Sequence, residues 1–167
     1  FSWVVIGLAL FAAGSIAAYY LFDHVRVRVQ TWNDPFADPD GAGYQMVQSL
    51  YALADGGVVG PGLGRGRLIL ENGATRIPEL RTDFIFSAIA HELGYIGALA
   101  LLVTFVLVAF RGFVIASQAN DGFSKLLAAG LTTVIAFQAF VIVGGIVRVV
   151  PLTGVTLPFL SSGGSSV

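Results

Sequence analysis

The chain has 167 residues, of which 56% are hydrophobic and only 11% charged, at a net charge of −1. A soluble domain carries about 25% charged residues, so this balance excludes an ordinary soluble fold and points to an integral membrane protein. The absence of cysteine excludes a disulfide framework and thiolate metal sites, and no basic field marks a nucleic-acid surface.

The opening run FSWVVIGLALFAAGSIAAYYLF (1–22) is uncharged and matches the ~20 apolar residues that cross a hydrocarbon core. No basic segment precedes it, so it reads as a membrane span and not as a signal peptide. Tyr19 and Tyr20 suit the interface at its end. Residues 23–83 follow as a large polar loop with two turn-rich stretches, NDPFADPDGAG and ADGGVVGPGLGRG. Between them a short amphipathic helix is expected at 44–54. There Met46, Val47, Leu50, Tyr51 and Leu53 recur at roughly helical spacing, which would let the helix lie on a membrane surface.

A second span, 84–110, is interrupted only by His91 and Glu92. The loop 111–125 carries Arg111 and Lys125, which assigns it to the cytoplasmic side by the positive-inside rule. A third span covers 126–150 and is apolar up to Arg148. Residues 151–167, with Pro151 and Pro158, read as a re-entrant or surface loop. That loop and 23–83 then both face outside the cell. Each spanning segment must satisfy its own backbone hydrogen bonds, so the fold class is all-α: a multi-span transmembrane helix bundle with a large extracellular loop. The chain starts inside an apolar run and reads as a fragment of a larger membrane domain.

Charge collects at the mouth of the second span, in ELRTDFIFSAIAHELG (79–94). HELGY invites comparison with the zinc pattern H-E-x-x-H, but Tyr95 stands where the second histidine is required. GPGLGRG lacks the spacing of a dinucleotide or P-loop site. It is either a flexible turn or a nest of backbone N–H groups that cradles a phosphate with Arg65 and Arg67. Helical spacing puts Asp83, Ser87, Ala90, Gly94 and Gly97 on one face, which suits close helix packing or a cavity entered by the carboxylate. Asp83 is then either a helix N-cap or a functional acid. Glu92 points the other way. With His91 it forms either a polar pair holding helices together or a functional intramembrane group. Arg148 either snorkels to the interface or meets an anionic lipid headgroup.

Three segments carry a resemblance: TWNDPFADPDGAGYQMVQSLYALADGGVVGPGLG, PELRTDFIFSAIAHELGYIGA and PLTGVTLPFLSSGGSS. In order, over nearly the whole chain, they resemble the SEDS family, the FtsW, RodA and SpoVE proteins of the bacterial plasma membrane. The resemblance implies a bundle of about ten transmembrane helices, of which this chain supplies part of the C-terminal half. It also implies a peptidoglycan glycosyltransferase that polymerises lipid II in division or elongation, working with a class B penicillin-binding protein.

The family's essential acid lies in a Thr-Asp-Phe motif, which maps onto Thr82, Asp83 and Phe84. Asp83 would take the proton of an acceptor sugar hydroxyl as it attacks the donor's anomeric carbon and expels undecaprenyl diphosphate. A placed base contributes about 10²–10⁴-fold. Arg76, Arg81 and Arg148, or a divalent cation (Mg or Mn), would stabilise the leaving diphosphate. Glu79 would orient substrate or share the metal, with Thr82 beside it in the substrate contacts.

Four departures from the family pattern bear on substrate contacts and partner choice more than on reaction class. His91 replaces a frequent glutamate, Ser162 a common tyrosine and Arg81 a frequent histidine, and 67–77 lengthens the loop. Two other functions compete. A non-catalytic scaffold recruiting a transpeptidase would tolerate Asp83→Asn. A lipid II flippase needs polar residues along a path across the bilayer, whereas here they cluster at the outer face. The piece by itself is expected to be inactive.

Overall fold

A computed structural model describes residues 2–66, 68 and 75–162. Arg67, most of the 67–77 insertion and the Gly-Gly-Ser-Ser end fall outside the described residues. The chain divides into two units, 1–44 and 45–167.

In the first unit, α1 (Ser2–Leu21) has 20 residues and none of them buried. At ~1.5 Å rise per residue it is about 30 Å long, the thickness of a hydrocarbon core. Phe22 breaks the helix with extended backbone (φ −120°, ψ 111°), and α2 (Asp23–Asn33) follows at once. The sequence reading placed only loop here, because Val25, Val27 and Val29 alternate with polar residues and show no helical period. Local contacts favour the helix instead. Asp23 sits in the first turn, where the helix dipole favours a carboxylate. Arg26 lies 3.6 Å from that carboxylate, donates to the Tyr20 carbonyl at 3.3 Å, and stands 6.0 Å from the Tyr19 ring centre. A 3₁₀ turn, Pro35–Ala37, is capped by Asp34, which accepts the Phe36 N–H at 3.1 Å.

The second unit holds α3 (Tyr44–Gly56), α4 (Ile85–Gln118) and α5 (Gly122–Ile146). The helix expected at 44–54 is present and two residues longer. Met46, Val47, Ser49, Ala52 and Gly56 are its buried residues, so a face of two apolar and three small residues is packed inside while Tyr51 stays exposed.

Residues 119–121 alone separate α4 from α5, where the sequence reading drew a loop over 111–125. The stretch GFVIASQ (112–118) contains nothing that stops a helix, and Arg111 is tolerated on its exposed side. Asp121 starts α5 by accepting the Ser124 N–H at 2.8 Å, which brings Lys125 inside the helix. α5 ends at Ile146 and not at 150, because Arg148 adopts a left-handed backbone (φ 64°). The N–H groups of Arg148 and Val149 then return to Gly145 and Gly144 in a Schellman-type stop.

Among the described residues three helices, α1, α4 and α5, are long and apolar enough to span a membrane. α4 and α5 form an antiparallel hairpin in close contact. A Cβ on Gly112 would fall 2.2 Å from Thr132 Oγ1. The buried core lies toward the end of the hairpin where α4 begins and α5 finishes. It joins Ile77, Leu80, Phe84 and Phe86 to Ile142, Ile146 and Leu157.

α4 is not continuous. Gly94 has φ 69° and ψ −171°, which splits the helix into a short segment, 85–93, and a longer one, 95–118. The longer piece spans about 36 Å, sufficient for a bilayer core by itself.

Candidate active site

The motif Glu79-Leu80-Arg81-Thr82-Asp83-Phe84 folds into a turn organised by one carbonyl. Glu79 O accepts the N–H groups of Thr82 (3.1 Å), Asp83 (3.0 Å) and Phe84 (3.3 Å). Thr82 Oγ1 lies 3.1 Å from that same carbonyl and 2.9 Å from the Glu79 carboxylate, to which it also donates. Glu79 must adopt φ 57° to permit this. A left-handed non-glycine residue costs about 1–2 kcal/mol, so the convergent N–H groups must hold it there. Leu80 and Phe84 are buried in the core, which pins the turn from below.

Asp83 is half-buried in this turn. The N-cap position of α4 belongs to Phe84, so Asp83 is one residue outside the place where a capping carboxylate sits.

The segment after α5 returns to this turn. Gln138 holds it by donating to the Thr156 carbonyl at 2.8 Å, and Leu157 is fully buried. Ser161 Oγ donates to the Thr82 carbonyl at 2.5 Å and accepts the Leu157 N–H at 2.9 Å. Ser162 gives the Arg81 carbonyl its backbone N–H (2.9 Å) and its hydroxyl (3.1 Å). Two consecutive carbonyls of the acidic motif are thus clasped by two serines. Sequence reading missed this role for both. The only signal was a pair of hydroxyls after LPFL.

Glu79, Arg81, Thr82 and Asp83 share the turn, and Arg76 lies just upstream with its N–H on the Leu68 carbonyl at 2.8 Å. Arg81 and Arg76 are exposed, and Arg148 is half-buried. Arg148 lies at the same end of the α4–α5 hairpin as Asp83, held in its left-handed conformation by the helix stop. Phe159, at φ 65°, adds a third left-handed non-glycine residue in these segments. Such conformations persist where surrounding contacts over-determine them, and they concentrate at functional sites.

The short α4 segment packs on α3. Ser49 and Ser87, both fully buried, share a 2.7 Å hydrogen bond. His91 Nδ1 lies 3.2 Å from the Ala52 carbonyl. Gly56 allows the closest approach, since a Cβ there would fall 2.2 Å from Ala90 O. The Ser87, Ala90 and Gly94 face is therefore used for close packing. Gly97 lies beyond the break.

The glycine loop also finds its partner here. Tyr95 and Ile96, whose N–H groups lose helical acceptors at the break, donate to Gly57 O (2.9 Å) and Val58 O (3.1 Å). Glu92 O accepts Gly62 N–H at 2.9 Å, and its carboxylate accepts Gly64 N–H at 3.0 Å. The loop, read from sequence as either a flexible turn or a phosphate cradle, instead places its N–H groups on the chain's own Glu92. A polar cavity of about 430 Å³ adjoins the loop, lined in part by Asp55, Arg65 and His91. Among the described residues no three His, Cys, Asp or Glu side chains converge to hold a metal ion.

The whole chain, residues 1–167, matches the family model FtsW/RodA/SpoVE, described as a cell cycle protein. The chain belongs to this family. It is 54% identical over 167 residues to the peptidoglycan glycosyltransferase RodA of Mycobacterium tuberculosis, covering 100% of this chain and 34% of that protein. The stage V sporulation protein E of Bacillus subtilis is 39% identical, with 98% and 42% covered. The peptidoglycan glycosyltransferase MrdB of Escherichia coli is 38% identical, with 99% and 45% covered. A solved structure concerned with coordination of polymerization and crosslinking by a peptidoglycan synthase complex aligns over 100% of this chain and 45% of its own. The TM-score there is 0.73 at 29% identity. The chain thus spans between a third and a half of the length of these relatives. Three apolar helices of spanning length in a chain of the FtsW/RodA/SpoVE family make it a multi-pass bacterial membrane protein.

Proposed function

We propose that the protein carrying this chain is a peptidoglycan glycosyltransferase that polymerises lipid II, with Asp83 as its general base. The observation that carries the reading is the fixed turn around Asp83, built on Glu79 and clasped by Ser161 and Ser162 at one end of a membrane-spanning hairpin. The names of the relatives, peptidoglycan glycosyltransferases among them, support the reaction class.

In this reading residues 23–83 and the segment after α5 face the outside of the cell, where lipid-linked sugars are joined. Asp83 accepts the proton of the acceptor hydroxyl as the bond to the donor's anomeric carbon forms. The bond to the undecaprenyl diphosphate breaks, and its charge is met by Arg148, Arg81 and Arg76. Glu79 and Thr82 hold the turn and border the substrate. A divalent cation (Mg or Mn), where bound, would share the neutralisation of that charge with these arginines. A class B penicillin-binding protein is the proposed partner, in keeping with the synthase complex that the fold matches.

The test uses the protein in liposomes with labelled lipid II and its transpeptidase partner, whose crosslinking is blocked by a β-lactam. Glycan strands that lengthen with time are expected. Translocation of lipid II without strand formation would overturn the reading.

A further inference from the structure

Residues 85–93, with Asp83 just ahead of them, are joined to the membrane-spanning part of α4 only through the non-helical Gly94. A helix interrupted this way does not fix the direction of its first segment. Contacts from other elements must do so. On one side α3 supplies the Ser49–Ser87 and Ala52–His91 contacts. On the other, the glycine loop closes on the break itself. A Cβ on Gly60 would lie 2.3 Å from Glu92 O, and one on Gly94 2.5 Å from Val58 O, so the two backbones touch without side chains between them.

Glu92 is the residue that joins loop to segment through both of its parts. Its carbonyl, released by the break, takes the Gly62 N–H, and its carboxylate takes the Gly64 N–H. Gly66 also lies against it, since an added Cβ would fall 2.9 Å from Glu92 Cγ and 3.0 Å from Oε1. An ionised acceptor roughly doubles the strength of such a bond. Glu92 does not belong to the turn that carries Asp83, which precedes α4.

We propose that Glu92 is a positioning residue: its carboxylate, seated in the glycine loop, sets the angle of the short α4 segment and thereby the placement of Asp83. The inference rests on the reading of Asp83 as the base. It assigns to the glycine loop the function of a socket for an internal anion. Removing the carboxylate leaves Gly64 N–H without its acceptor and lets the segment swing about Gly94. A misplacement of about 1 Å costs up to about 10²-fold in rate. The loss belongs in kcat, because the groups that would touch substrate remain.

The experiment compares the wild-type protein, Glu92→Ala, Glu92→Gln and Asp83→Asn with labelled lipid II, and follows hydrogen exchange in peptides covering 57–66. Glu92→Ala is expected to lower kcat about tenfold or more with KM little changed, and to speed exchange at Gly62 and Gly64. Glu92→Gln, which keeps an oxygen acceptor, should restore kcat to within about threefold of wild type. Faster exchange with unchanged kcat would overturn the positioning role. Unchanged exchange would overturn the socket itself. If Asp83→Asn polymerises normally, the underlying reading of Asp83 fails, while the exchange result still decides whether Glu92 holds the loop.

Discussion

Ser161 donates its hydroxyl to the carbonyl of Thr82, a residue 79 positions earlier in the chain. The bond joins the segment after α5 to the turn that carries Asp83, and the same oxygen accepts the N–H of buried Leu157. One hydroxyl therefore satisfies two backbone groups from distant parts of the sequence. Ser161→Ala leaves both without that partner. The expected destabilisation is about 1–3 kcal/mol, read as a lower thermal midpoint in detergent. An unchanged midpoint would show that the clasp carries no energy.

Arg148 occupies the position after the α5 cap where glycine is the usual residue, at φ 64°. Relieving that backbone conformation with Arg148→Gly should leave thermal stability equal or higher. Polymerisation should nevertheless fall, because the cation proposed to meet the diphosphate is gone. A variant with full activity would remove Arg148 from the substrate contacts. A large drop in stability would instead make its role structural.

The Ser49–Ser87 bond is fully buried between α3 and α4. Either single alanine leaves a buried hydroxyl unpaired, at a cost of about 1–3 kcal/mol, whereas removing both hydroxyls approaches neutrality. A double-mutant cycle on thermal unfolding should therefore show the pair less destabilised than the sum of the singles. Strict additivity would mean that the two hydroxyls do not act on each other.

Much of the fold was legible because hydropathy and length decide membrane spans. The three long apolar runs correspond to α1, α4 and α5. The boundaries were less so. Arg111 and Lys125 read as loop residues, yet an exposed cation does not end a helix, and the stop comes only at Ala119–Asp121. α2 was missed because its valines alternate, while the contacts that favour it involve Asp23, Arg26 and the end of α1. At the candidate site, Asp83 stood out through its motif. Glu92 and Gly94 did not disclose their role, since it depends on a glycine loop some 30 positions earlier whose match to the break has no periodic trace in sequence.

Asp121 gives a pH dependence with a definite sign. Its carboxylate accepts the Ser124 N–H and, second in weight, the Ser124 hydroxyl, and these bonds hold its pKa below the ordinary 3.8. The cap's contribution is therefore fully present above that ordinary value and is lost as pH falls through the lower folded value. Asp121→Asn keeps an N-cap acceptor but removes the titration. The acid limb of the melting profile should flatten in this variant. An identical limb in both proteins would assign acid sensitivity to other groups.

The central claim is that Asp83 transfers the proton in glycan synthesis. Its most direct test is the single-turnover rate of Asp83→Asn with labelled lipid II bound to the folded complex, set against wild type. A fall of about 10²-fold or more with lipid II still bound is the result predicted for a general base. A rate within a factor of about two of wild type would contradict it and return Asp83 to a structural role.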